Sequence, residues 1–148
     1  MKVIDRHAVA RGAAIGLFLF VPISALRVLI DRSVEDFDHS GWAPLFAVAI
    51  FAVYAIAGFV AARIATDAPY SNGIVAAIGA LVLWLPIRTV IWAIRDSSQS
   101  LFGGTDPVFT PGRILGQVVF AAALGAIGGV VAARRSARRT SEGTEPPV

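Results

Sequence analysis

The chain has 148 residues, of which 56% are hydrophobic and only 16% charged, and its mean hydropathy is +0.71. A soluble domain carries about 25% charged residues, so this balance excludes a soluble enzyme or a secreted module. The formal net charge is +3, cysteine is absent, and disulfides, thiolate metal sites and cysteine nucleophiles are excluded with it.

Four apolar stretches are long enough to cross a bilayer as helices: Gly12–Ile30, Ala43–Ile64, Gly73–Ile94 and Gly112–Ala133. About 20 residues at helical rise cover a hydrocarbon core of roughly 30 Å. The expected fold class is an all-α membrane protein, a four-helix bundle. Residues 1–64 form a first hairpin, 65–133 a second, and 134–148 a disordered cytoplasmic tail.

The first span follows Arg6 and Arg11, as a signal peptide would, but Arg27 and Asp31 close it without a small-residue cleavage pattern. It reads as a retained helix. Pro22 in the first span and Pro86 in the third each remove a backbone donor and crowd the carbonyl four residues earlier, at Phe18 and Val82. A matched pair of kinks is expected.

Spans two and four end alike. Ala55–Arg63 and Ala126–Arg134 are identical at most aligned positions. Spans one and three share Ala13–Gly16 with Ala76–Gly79, and Pro22-Ile23 with Pro86-Ile87. The unit is a helical hairpin used twice, in parallel, with an axis along the membrane normal. The second and fourth spans also carry rows of small residues. Ala121, Gly125, Gly129 and Ala133 recur at spacing four, with Gly112 and Gly116 before them. Gly58 and Ala62 lie beside Ala57, Ala61 and Ala65. Small residues permit the close backbone approach that drives helix association in lipid. Packing within one bundle uses these faces first, and the surplus glycine leaves room for a homo-oligomer.

Lys2, Arg6, Arg11, Arg63, Arg134, Arg135, Arg138 and Arg139 fall on one side of the spans, whereas Asp31, Glu35, Asp36, Asp38, Asp96 and Asp106 fall on the other. The positive-inside rule places both termini in the cytoplasm. The basic tail is a topology anchor beside anionic membrane lipid, with no nucleic acid implied. Arginine far outnumbers lysine and alanine is abundant, a bias that points to a bacterial plasma membrane.

Arg27 and Arg88 intrude into the spans, and an intramembrane charge is a functional hypothesis with a partner to be named. Arg27 is close enough to the span end to snorkel. Arg88 lies deeper, between Trp84 and Trp92 at spacing four, where cation–π contact is available. Ser24, Thr89 and Gln117 share this outer half, with Tyr54 near the middle. Two readings follow. The cluster is an outward vestibule for an anion, or it is structural, with Arg27 and Arg88 paired to Asp31 and Asp96.

No catalytic group, metal site or cofactor is expected. His7 and His39 fall on opposite sides of the membrane, and no zinc-protease, nucleophile-elbow or P-loop pattern occurs. Asp36, Asp38 and His39 form an acidic loop that either binds a cation weakly or is simply solvated. Small four-helix multidrug exporters, similar in size, depend on a membrane-embedded glutamate, and no carboxylate lies within these spans. The stretch Arg95–Pro111, with Gly103, Gly104, Phe102 and Phe109, is expected to be an irregular loop at the interface.

In its span plan the chain resembles uncharacterised small four-helix membrane proteins of actinobacteria, some labelled drug/metabolite-transporter-like. The resemblance rests on the Ala- and Arg-rich four-span layout and transfers no functional residue. Two functions follow from the sequence: a non-enzymatic protein that supports a membrane-protein partner or the lipid environment, or an oligomeric transporter of a small solute or anion.

Overall fold

A computed structural model describes residues 4–34, 36–37, 39–65, 67–94 and 110–142, with side chains described to Arg138. The described residues form four helices and no strand: α1 (Arg6–Asp31), α2 (Trp42–Ile64), α3 (Pro69–Ile94) and α4 (Pro111–Glu142). All four are long and apolar enough to cross a membrane.

Each helix begins where local chemistry allows, and that moves the ends beyond the apolar runs. The Asp5 carboxylate accepts hydrogen bonds from His7 N and Ala8 N, so α1 starts six residues before Gly12. Pro69 and Pro111 open α3 and α4, where a missing backbone donor costs nothing. The segment 134–148, expected to be disordered, is helical as far as Glu142. Alanine and arginine are strong helix formers, and an established helix propagates through them more readily than a new one nucleates. The expected interfacial loop lies outside the described residues except for Thr110 and Pro111.

α2 and α3 are the central pair. Each packs on the other and on both α1 and α4, whereas α1 and α4 do not touch among the described residues. A two-fold axis between the hairpins would exchange α1 with α3 and α2 with α4. It would make the α1–α4 pair equivalent to the α2–α3 pair, and only the latter is packed. Among the described residues, the packing therefore lacks the α1–α4 contact that such an axis requires.

The tightest packing is backbone on backbone. A Cβ at Gly125 would stand 2.6 Å from the Gly73 carbonyl oxygen and 2.7 Å from Ala77 Cβ. One at Gly73 would stand 2.7 Å from the Gly125 carbonyl oxygen and 3.1 Å from that of Gly58. One at Gly58 would run into the backbone of Gly125. Three helices thus meet at three glycines. Gly128 extends the junction, since its missing side chain leaves room for the Ala55 carbonyl and the Phe59 amide. Gly12 brings α1 in the same way against the Ala57 carbonyl, Ala61 and Ala76.

Of the small residues singled out by spacing, Ala121, Gly125, Gly129, Gly58 and Ala62 are buried, and Ala133 is half-buried beside the buried Ala132. Gly112 and Gly116 meet nothing, so the first turns of α4 carry no such contact.

Beyond the glycines lies an apolar cluster of Phe20, Val53, Tyr54, Ala57, Ala77, Ala80, Leu81 and Ala121. α1 and α3 continue unbroken through Pro22 and Pro86. Both prolines, and Phe18 and Val82 whose carbonyls they crowd, are exposed on the outside of the bundle. Any bend they cause is on the outer surface rather than at a helix contact.

Gly125→Val places two methyl groups where no side chain fits and is expected to cost about 1–3 kcal/mol or to prevent assembly. Gly112→Val is expected to be neutral. Thermal unfolding and monodispersity in detergent distinguish them, and equal behaviour of the two variants would count against the glycine junction.

Candidate functional site

The bundle has two chemically different ends. One holds Asp5, Asn72 and the α2–α3 connection, and the other holds Arg27, Arg88 and Arg113.

At the first end Asn72 is fully buried. Its Oδ1 accepts from Asp5 N at 2.9 Å, and its Nδ2 donates to the Asp67 carbonyl at 2.8 Å and the Ala68 carbonyl at 3.1 Å. One amide side chain therefore ties the start of α1 to the turn between α2 and α3. A buried amide is tolerated only when satisfied in this way. Ala68 holds the turn with φ of 49°, a left-handed conformation that costs an alanine about 1–2 kcal/mol. The sequence showed Asn72 one residue outside the third apolar stretch, and nothing in apolar periodicity marks a buried amide. The same hydrogen bonds serve the fold, so Asn72 is a structural clamp.

Between the ends an aromatic group fills the bundle. Phe20 of α1 meets Tyr54 of α2 edge-on, with ring centroids 5.2 Å apart, and stacks on Trp84 of α3 at 5.6 Å. Phe20 and Tyr54 are buried. Phe20 covers one face of Trp84, a pairing across helices that spacing within one helix does not reveal.

One turn above Trp84 stands Arg88, half-buried. Arg27 of α1, Arg113 of α4 and the Tyr54 hydroxyl of α2 all lie within its electrostatic reach. Arg113 was not among the residues singled out in the sequence, because it sits in the first turn of its helix and reads as an ordinary flanking charge. The packing of α3 on α4 places it at the same end of the bundle as Arg88, within its electrostatic reach.

The other sequence candidates take distinct places. The Arg27 guanidinium lies over the Phe37 ring, 5.3 Å from its centre, and Phe37 is itself buried against Phe46. The α1–α2 connection is folded onto this end by that contact. Thr89 donates back to the Leu85 carbonyl at 3.1 Å, so its hydroxyl is used within its own helix. Ser24 and Gln117 are half-buried on α1 and α4. Asp96, the expected partner of Arg88, lies outside the described residues. His39 Nδ1 lies 3.0 Å from an Asp36 oxygen on an exposed part of the connection.

The chemistry available here is recognition of negative charge. Guanidinium groups are always charged and form paired hydrogen bonds to carboxylate or phosphate. No family model matches the chain, and no curated protein or solved structure matches it either.

Phe20→Ala removes the ring on which Tyr54 and Trp84 pack and is expected to destabilise the bundle by about 3–5 kcal/mol. Phe18→Ala, at an exposed position on the same helix, is expected to be near neutral. Denaturation in mixed micelles measures both.

Proposed function

We propose that the chain is a non-enzymatic, multi-pass protein of the bacterial plasma membrane that supports a membrane partner or the surrounding lipid. The observation that carries this reading is the glycine junction. Gly58, Gly73, Gly125 and Gly128 bring α2, α3 and α4 into backbone contact, and a transport path along the bundle would have to pass through it. The Phe20, Tyr54 and Trp84 rings fill the next layer. A packed interior suits a protein that presents its outer surface rather than its axis.

Both termini lie in the cytoplasm in this reading. It is supported by the basic residues gathered at the Asn72 end: Arg6, Arg11, Arg63, Arg134, Arg135 and Arg138. Duplication of a hairpin is supported by the shared sequence and by one structural match. Gly16 and Gly79, aligned in the two copies, both face the α1–α3 contact, against Ala80 and Ala13 respectively.

A second reading, an oligomeric transporter of an anion or small solute, is favoured by the convergence of Arg27, Arg88 and Arg113. Three guanidinium groups at one end of the bundle give it a positive field that attracts an anion.

Cysteine scanning separates the two, and the absence of native cysteine removes background. Single cysteines between Ala55 and Ala62 and between Ala121 and Ala132 are expected to resist a water-soluble maleimide. Labelling along one helix face would instead establish a wet path and the transport reading. Ser33→Cys is expected to react from outside intact cells and Ser136→Cys only after permeabilisation. The reverse pattern would overturn the orientation.

A further inference from the structure

At the Asn72 end, α2 and α4 leave a small cleft between them, lined by Phe59, Arg63, Ala132, Arg135 and Ser136. We infer that this cleft holds the phosphate of an anionic membrane lipid. The inference rests on the proposed membrane-spanning arrangement.

The cleft lies where the apolar parts of both helices stop. Arg63 is the penultimate residue of α2, and the candidate span of α4 runs to Arg138. That is the depth of a headgroup. Two arginines border it, one from each helix. The Arg135 guanidinium lies over the Phe59 ring, 5.4 Å from its centre, which draws it toward α2 and Arg63. Ser136, which also lines the cleft, donates its hydroxyl hydrogen to the Ala132 carbonyl at 3.2 Å.

Size decides the class of ligand. The cavity measures about 60 Å³. A pocket for a drug-sized solute is roughly 300–1,000 Å³, so only a small group enters this one. The rest of the ligand must lie outside, and outside the cleft the two helices are apolar. Ile56 on α2 and Ile127 and Val131 on α4 are exposed, and Phe51 stacks on Phe120 at 5.2 Å further along the same two helices. A phosphodiester in the cleft with acyl chains along α2 and α4 matches both parts. Free inorganic phosphate would use only the cleft.

The cleft depends on the glycine junction. Gly128 lets α4 approach Ala55 and Phe59, and this brings Arg135 within reach of the Phe59 ring.

The test uses the full chain in phosphatidylcholine vesicles with spin-labelled phosphatidylglycerol or spin-labelled phosphatidylcholine as probe. Wild type is expected to immobilise phosphatidylglycerol preferentially. Arg63→Gln with Arg135→Gln is expected to lower that preference on the order of fivefold per arginine, the effect of a basic residue beside an anionic lipid. Arg6→Gln with Arg11→Gln removes the same charge from α1 at the same end, away from the cleft, and is expected to keep the preference. Equal loss in both double variants, or no preference in wild type, would overturn the inference. Displacement of the probe by inorganic phosphate, but not by chloride at equal ionic strength, would assign the cleft to a free anion and overturn the lipid source. Flotation with the vesicles is read separately. A chain that floats without selectivity loses the cleft but keeps the membrane reading, and a chain that does not float loses both.

Discussion

Lipid offers helices no hydrophobic reason to associate, because its tails are as apolar as leucine. This bundle associates by removing side chains. Gly58, Gly73 and Gly125 let three backbones meet at one level, and Gly12 and Gly128 bring α1 and α4 against α2 in the same manner. At such distances dispersion contacts are dense, although each is small. The central position of α2 and α3 follows, since each presents small residues to three neighbours while α1 and α4 present them to two.

The junction also divides the molecule. At its level the described residues that face the interior are glycine and alanine, so nothing polar lines a path there. Beyond it the helices carry larger residues, and Phe20, Tyr54 and Trp84 fill the space between them. Charge is held beyond these rings by Arg27, Arg88 and Arg113. At the opposite end Asn72 satisfies its own amide by closing the turn that the strained Ala68 makes possible. The two ends thus use polar groups differently: Asn72 is spent on the fold, whereas the arginines gather at the surface of the apolar zone, where recognition of an anion is chemically available.

Much of the architecture was legible because the bilayer imposes length and polarity. Four apolar stretches marked four helices to within a few residues at most ends. The misses came from local effects that hydropathy does not register. The Asp5 cap extended α1 backward, and helix propensity carried α4 through its arginines to Glu142. Small-residue spacing identified Ala121, Gly125 and Gly129 as a packing row. It also included Gly112 and Gly116, which meet nothing, because spacing gives a face and not a neighbour. Spacing does not mark Gly73 and Gly128 as packing positions for the same reason, although both meet backbone closely.

What the sequence determined by itself was the number of helices, the segregation of charge to their ends and the absence of acidic groups from the spans. Each is a one-dimensional property, set by the cost of burying charge in hydrocarbon. The tertiary structure alone decided which helices touch. It placed Phe20 on Trp84, gathered Arg113 with Arg88, seated Arg135 over Phe59 and kept α1 apart from α4. Those pairings join residues far apart in the chain. They depend on the rotation of each helix about its axis, which was set by where a side chain was missing on its neighbour.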